Sequence, residues 1–475
     1  FLIQMRNLWI LRFRYGRMAI LLQCGKNARG KHSVSIKKTL WKNGSVCWRD
    51  EQRNNFYPQQ YLLCCMSQSK AFIQKMFRKY YEENSSLVKA PSRIGRREFG
   101  FNLFGEGMLR HKSFKNLDEL LSFLRLSAPR DAYFSCAYYE NPEAEMDKKT
   151  WLGADLIFDI DADHIPTPCD KVHDEWTCSK CGFMGKGFAP DTCPVCGCKS
   201  FDTSTWPCEV CLATAMQETT KLLDMLTRDF GFSDKAIHVF FSGHRGYHVH
   251  VEDESVNGLD AVARKEIVDY ISAQGLAISP REKSRGKRRL PQLDELKLYD
   301  FGWQGRIAKR LRDFILQSRE EDLVNLGLKR NVAKIILQNK EAILRNSEIV
   351  RNLKAIKGIG TETLKQIMDF CIQNGMARID TVVTADVHRL IRLTETLHGK
   401  TGLRKVEFPN SQIESFDPFK EAVAFKRETQ TVFVYSAPRF RLGDEMFGPY
   451  KDQRVELPIA AAILLICKGR AEVVE

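Results

Sequence analysis

No stretch of this 475-residue chain is apolar for long enough to cross a bilayer. The longest apolar run, residues 457–467 (L-P-I-A-A-A-I-L-L-I-C), is about half of the roughly 20 residues that a spanning helix needs. Pro458 suits a first helical turn and Gly469 lies just past the end, so the run predicts a buried C-terminal helix. A secretory pattern is missing too. The fifteen cysteines, many in C-x-x-C pairs, therefore point to a reducing compartment and metal binding rather than disulfides. A Walker A loop is also absent. The H-G-K-T-G of residues 398–402 would need a glycine five residues before Gly399, and Thr394 stands there. Acids are scarce in residues 1–65, where twelve Lys or Arg face only Asp50 and Glu51, a net of +10. Of the chain's +14, only +4 is left for residues 66–475, so the pI near 9.1 says little about nucleic acid by itself.

That first segment begins with Phe1, shows no sustained period of 3.6 or 2, and carries Cys24, Cys47, Cys64 and Cys65 without metal-ligand spacing. It reads as a basic extension, disordered or upstream of the true start, with the functional chain beginning at Met66. A transit peptide and a nucleic-acid-binding arm are the alternatives. Hydrophobic content of 43% and charged content of 28% are ordinary for a globular protein, and the length allows about three domain-sized units.

The most informative stretch is 154–163, A-D-L-I-F-D-I-D-A-D. Leu156, Ile157 and Phe158 read as a buried strand, with Asp159, Asp161 and Asp163 at its end. Alternate residues of a strand share a face, so Asp159 and Asp161 present adjacent carboxylates. Such carboxylates raise each other's pKa unless a cation lies between them, and hard oxygen donors suit Mg²⁺ or Mn²⁺. An acidic turn after a core strand is the plain alternative.

The cysteine block follows. Cys178-x-x-Cys181 and Cys193-x-x-Cys196 stand eleven residues apart, each pair followed by glycine, which is the spacing of a tetrahedral Cys₄ zinc ribbon. Cys169, His173, Cys208 and Cys211 flank it and supply the types and number for a second zinc site bridged by the ribbon. Cys198 is left as a spare thiol. Four protein ligands leave no open position for chemistry, so both sites are expected to be structural.

Elsewhere, 67–83 predicts an amphipathic helix. Residues 98–103 and 108–114 predict a hairpin within a basic cluster (Arg96, Arg97, Arg110, His111, Lys112). Residues 117–126 and 212–230 predict helices, and 132–139 a strand. Residues 236–251 read as two strands flanking a turn with Gly243 and Gly246. Ser242, His244, Arg245 and His248 gather there as a phosphate site in kind. The run 281–289 is basic, and 300–375 is mainly helical. Within it, 353–368 resembles a helix-hairpin-helix whose turn spans Gly358 to Gly360, although a plain linker turn is favoured. In 378–402 helical spacing places Val387, Leu390 and Ile391 inward. Residues 433–435 are strand-like.

The combination R-E-F-G-F, F-D-I-D, a zinc block, S-G-H-R-G-Y-H, and L-I-R followed by L-H-G-K-T-G resembles the small catalytic subunit of archaeal-type DNA primase, of the archaeo-eukaryotic primase superfamily. The resemblance covers residues 66–475. It implies an α+β fold, a mixed-sheet catalytic core (RRM-like palm) over 66–265 and 376–475. A zinc-binding insertion would occupy 164–212 and a mainly helical one 266–375. It makes Asp159, Asp161 and Asp380 the ligands of Mg²⁺ or Mn²⁺. Ser242, Gly243, His244, Arg245, Gly246, His248, Arg392, His398 and Lys400 become triphosphate contacts, and Glu98 and Arg110 neighbours of the nucleotide or primer end. The usual zinc knuckle would be Cys169, His173, Cys208 and Cys211, with the ribbon inserted. Thr394 stands where the family has Pro, a change of loop geometry. Implied partners are a large iron–sulfur subunit in a heterodimer, a single-stranded DNA template and NTPs or dNTPs, in the cytoplasm of an archaeal cell at the nucleoid. The alternative within the fold is a primase-polymerase of repair or damage tolerance. A zinc protein that only binds nucleic acid explains the cysteines but not the carboxylates.

Overall fold

The computed structural model describes residues 68–105, 107–276, 296–426 and 428–474, with backbone alone at His164 and Asp170. The expectations for residues 1–65 and for the basic run 281–289 lie outside the described residues. One compact unit includes Trp176–Gly185 and Ala189–Thr203; the other comprises Cys65–Glu175, Lys186–Phe188 and Ser204–Glu475.

The larger unit is a mixed α+β structure. Eight of its strands, in chain order, are β1 (Phe99–Asn102), β2 (Met108–Lys112), β3 (Asp131–Ser135), β4 (Leu156–Asp161), β5 (Ile237–Phe241), β6 (Gly246–Val251), β7 (Leu390–Arg392) and β8 (Val406–Phe408). They form two four-stranded sheets, β7-β3-β1-β2 and β4-β6-β5-β8. The expected mixed sheet is instead antiparallel in each of these pairings; for β5 and β6 a tight turn between them sets the direction.

β4 lies between two cores. Leu156, Phe158 and Ile160 pack with the helix Glu209–Arg228 and the helices beyond it. Ile157 belongs to the core of the other sheet. Full burial of side chains this size contributes roughly 1.5–3 kcal/mol each, which fixes the strand's register. Asp159 and Asp161 continue the Ile157 face, at the point where buried apolar residues give way to half-buried acids.

Several expectations shift in detail. The single strand expected over 132–139 breaks at Cys136, and Ala137–Tyr139 pairs with Trp151–Ala154 in a separate ribbon. The helical reading of 378–402 gives way to one short helix, Thr381–Ala385, followed by β7. Leu390 and Ile391 pair with β3, and Val387 is only half-buried. Sheet pairing there outweighs a spacing that three residues cannot define. The strand Tyr450–Pro458, paired with Thr429–Ala437, carries no sequence signal, because most of its residues are exposed.

Other elements follow the sequence closely. Residues 302–375 hold six helices, from Gly302–Gln317 to Thr361–Gly375. Ile349–Ala355 and Thr361–Gly375 are joined by a turn in which Gly358 has φ +100°, and Leu364 is buried. The C-terminal helix Ile459–Cys467 buries Ile459, Ile463 and Leu464, and Gly469 ends it with φ +66°. Among the described residues no helix is long and apolar enough to cross a membrane.

Candidate active site

Three acids meet at the end of β4. The Asp380 backbone N–H donates to the Asp159 carbonyl oxygen at 2.8 Å. The Asp380 carboxylate caps the helix Thr381–Ala385, accepting from the Val382 and Val383 N–H groups at 2.9 and 3.2 Å. Burial, and then the charges of Asp161 and Asp380, push the Asp159 carboxyl up to about 7. Asp161 accepts from the Asp163 N–H at 3.0 Å. The ligand atoms of Asp161, Asp163 and His244 all lie within 4.8 Å of one another, whereas Asp159 and Asp380 stand outside that group. Asp163 thus lies beside Asp161 and His244.

Opposite the acids is the β5–β6 turn. Register pairs Asp159 with His248 and Asp161 with Gly246. A Cβ on Gly246 would sit 2.1 Å from the Ile160 carbonyl oxygen, so only glycine lets the two strands approach here. Gly243 adopts φ +88° and its carbonyl accepts from Thr401 Oγ1 at 2.6 Å, which locks the turn onto the 398–402 loop. The Ser242 hydroxyl accepts from the His244 N–H at 3.3 Å. His248 Nε2 is 3.6 Å from Asp159 Oδ1, and its Nδ1 has no partner. Burial, with Lys405 and Arg392 nearby, holds His248 well below the usual imidazole value.

His244 stacks on His398 with ring centroids 5.0 Å apart. Its Nε2 lies 2.6 Å from Lys468 Nζ, which also donates to the Thr205 carbonyl at 2.8 Å. Burial, and next the charges of Arg245 and Lys400, lower the Lys468 ammonium to about 7. The Lys400 N–H donates to His398 Nδ1 at 3.1 Å, and the Lys400 side chain is exposed. His244, His398, Lys400 and Lys468 therefore gather as one polar group against Asp161 and Asp163. Sequence spacing gave no sign of Lys468, which follows an apolar helix.

The two arginines expected at a triphosphate are engaged otherwise. Arg245 is 1% exposed. Its Nη1 donates to both Asp174 oxygens at 2.9 and 2.7 Å and its Nη2 to Asp163, leaving only Nε without a partner. Arg392 donates to Asp131 Oδ1 at 2.8 Å and to the Leu397 carbonyl at 3.1 Å. The Gly399 N–H shares the same Asp131 oxygen at 2.8 Å, so Arg392 braces the loop that carries His398 and Lys400. Glu98 is fully buried in the β1–β2 hairpin, where it accepts from Arg110 Nε at 3.1 Å and from the His111 N–H at 3.2 Å. Lys149 Nζ lies 3.4 Å from its other oxygen.

Both soft-donor sets are assembled. In the larger unit Cys169 Sγ lies 3.5 Å from Cys208 Sγ and 3.4 Å from Cys211 Sγ, and His173 Nε2 lies 3.2 and 3.6 Å from the same two sulfurs. Sulfurs bound tetrahedrally at about 2.3 Å would be about 3.8 Å apart, so the four donors fit one ion. His173 Nδ1 is 2.7 Å from Asp174. In the smaller unit Cys178 and Cys196 are 3.5 Å apart and Cys181 and Cys193 3.6 Å. Gly182 and Gly197, at φ +73° and +68°, return their N–H groups to the Cys178 and Cys193 carbonyls at 2.9 Å. Cys198 stands outside both sets.

Acids and cations are gathered around one strand end, a charge pattern of the kind that metal ions and an anionic substrate complement. The relatives name the class more narrowly. A family profile described as DNA primase small subunit matches residues 202–409. The chain is 34% identical over 429 residues to the DNA primase small subunit PriS of Methanothrix thermoacetophila, covering 86% of this chain and 99% of that protein. It is 33% identical to PriS of Cenarchaeum symbiosum, over 84% of this chain and 97% of the relative. For PriS of Archaeoglobus fulgidus the identity is 34%, over 85% and 98%. The chain belongs to the archaeal-type DNA primase small subunit family. It is a DNA primase catalytic subunit, and so an enzyme of the nucleotidyltransferase kind.

Proposed function

We propose that this subunit synthesises short RNA or DNA primers on a single-stranded DNA template, from NTPs or dNTPs, by two-metal nucleotidyl transfer at Asp159, Asp161 and Asp380 during replication. The observation that carries the reading is that Asp159 and Asp161 alternate at the end of β4 while the Asp380 N–H is bonded to the Asp159 carbonyl at 2.8 Å, a crowding of acids that, with burial, pushes the Asp159 carboxyl up to about 7. Such a set is relieved by divalent cations, and all-oxygen donors on a strand end suit Mg²⁺ or Mn²⁺. Asp159, Asp161 and Asp380 would hold the ions, whose chemistry there would be to lower the pKa of a primer 3′-hydroxyl and to offset charge on pyrophosphate.

The chain's own groups do the rest. Ser242, Gly243 and Gly246 keep the backbone close to the incoming phosphates. His244, His248 and His398 are neutral and supply hydrogen-bond donors, and Lys400 and Lys468 add positive charge. Arg392 holds the loop that presents His398. Catalysis on this scheme is positioning plus electrostatics. Glu98 and Arg110 stand on the second sheet as neighbours of the primer end.

In this reading 66–265 and 376–475 form an RRM-like palm, with 164–212 the zinc-binding insertion and 266–375 the helical one. Both soft-donor sets hold Zn²⁺, since four-thiolate and mixed thiolate–imidazole tetrahedra both favour it. A larger iron–sulfur subunit completes a heterodimer in the archaeal cytoplasm, at the nucleoid. Template-directed incorporation by the purified chain, with and without Mg²⁺ or Mn²⁺, tests the reading. Metal-dependent synthesis that Asp159→Ala abolishes is expected; synthesis that survives Asp159→Ala overturns it.

A further inference from the structure

A line of direct contacts joins the Cys169–His173–Cys208–Cys211 donor set to the acidic strand end. His173 faces the sulfurs with Nε2 and Asp174 with Nδ1, at 2.7 Å. A carboxylate behind a ligating imidazole fixes its tautomer and orientation and strengthens it as a donor. Asp174 has two further duties: it accepts from the Trp206 N–H at 3.1 Å and from Arg245 Nη1 at 2.9 and 2.7 Å. Arg245 then passes its other Nη to Asp163. Asp163 sits in the turn Ala162–His164 directly after β4, and its N–H holds the Asp161 carboxylate at 3.0 Å.

Asp174 is 4% and Arg245 1% exposed, so the Asp174–Arg245 bonds are little screened by water, while the Asp163 carboxylate at the far end is partly open to solvent. Arg245 is placed for this work. Both Nη groups lie on carboxylates, one on the soft-donor side and one on the catalytic side. A structural knuckle needs no such connection.

We propose that Asp174 is a positioning residue that couples the soft-metal site to the catalytic metal site through Arg245 and Asp163. Filling the Cys169–His173–Cys208–Cys211 site tightens divalent-cation binding at Asp159, Asp161 and Asp380. By reciprocity, a cation at the carboxylates tightens the hold on the soft metal. The inference rests on the proposed reading of those three acids as the catalytic metal site.

Two measurements on the full chain test it. The first is Mn²⁺ binding, by electron paramagnetic resonance, to the wild type, Asp159→Asn and Asp174→Asn. Asp174→Asn should weaken Mn²⁺ binding about fivefold or more, the usual size of a coupling between two sites. Affinity within twofold of wild type overturns the coupling. Binding by the wild type that Asp159→Asn leaves untouched overturns the catalytic-site reading instead. The second needs no folded variant. Co²⁺ is loaded into the cysteine sites of the wild type, and its visible absorption and its loss to a chelator are followed on adding Mg²⁺. A spectral shift and slower loss from the His-containing site, with the four-cysteine site unchanged, are expected. Identical spectra and loss rates with and without Mg²⁺ overturn the proposal.

Discussion

The Asp380 N–H and the Asp159 carbonyl are joined at 2.8 Å, although the whole helical region separates the two residues in the chain. The bond fixes where Asp380 begins its short helix, and so where its carboxylate lies relative to β4. Asp380→Asn keeps the side-chain cap but removes the charge. It should lose about 10²–10³-fold or more in nucleotide incorporation with little change in melting temperature. Asp380→Ala should lose as much activity and, in addition, about 1 kcal/mol of stability. Paired incorporation assays and denaturation curves separate the two effects.

Asp159 gives a pH dependence with a definite sign. Its carboxyl ionises near 7 in the folded chain against an ordinary value of 3.8. Between those values the folded state binds more protons than the unfolded one. The metal-free chain should therefore lose stability as pH rises through that window. Divalent cations compete with the proton, so Mn²⁺ affinity should rise with pH up to about 7 and then level off. Calorimetric unfolding with and without Mn²⁺ across this range measures both trends.

Lys468 sets the opposite limb. With its ammonium lowered to about 7, it loses charge above neutrality and contributes less to a triphosphate. In the proposed site kcat/KM for NTP should fall on the alkaline side. Lys468→Arg, which stays charged, should flatten that limb. Lys468→Met should raise KM for NTP by about tenfold or more while template affinity stays unchanged. An alkaline limb identical in Lys468→Arg would remove Lys468 from the phosphate set.

The two soft-donor sets share no residue, so metals held by them should be lost separately. Elemental analysis should find two zinc ions per chain, one each in Cys181→Ser and Cys208→Ser, and two in Cys198→Ser.

Asp131 holds both Arg392 and the Gly399 N–H from within the core. Asp131→Ala strands a buried guanidinium, at a cost of about 3–5 kcal/mol. Chemical denaturation should show that loss, together with weaker NTP binding as the 398–402 loop loosens.

Much of the site was legible because its signals are local. The alternation in β4, the C-x-x-C spacings and the glycines of the β5–β6 turn all report geometry within a few residues. Period-2 and short-loop rules act over such distances, and the structure places those elements where the spacing put them. The failures are equally local in cause. Leu390 and Ile391 carry a spacing that fits a helix or a strand, and only the presence of β3 as a pairing partner selects the strand. Tyr450–Pro458 is mostly exposed and shows no pattern at all, so its pairing with Thr429–Ala437 decides it.

The sequence by itself determined the donor chemistry of this protein: which acids alternate on one strand face, which thiols come in knuckles, and where glycine permits close approach. Tertiary structure alone decided how the charges are allotted. Arg245 reads as a phosphate ligand beside its glycine, yet its guanidinium is held by Asp163 and Asp174. Lys468 reads as the end of an apolar helix, yet its ammonium reaches His244. A buried charge takes the nearest opposite charge or hydrogen-bond partner in space, because leaving it bare in a low dielectric costs more than almost any local preference can offset. Spacing along the chain does not encode which partner that is.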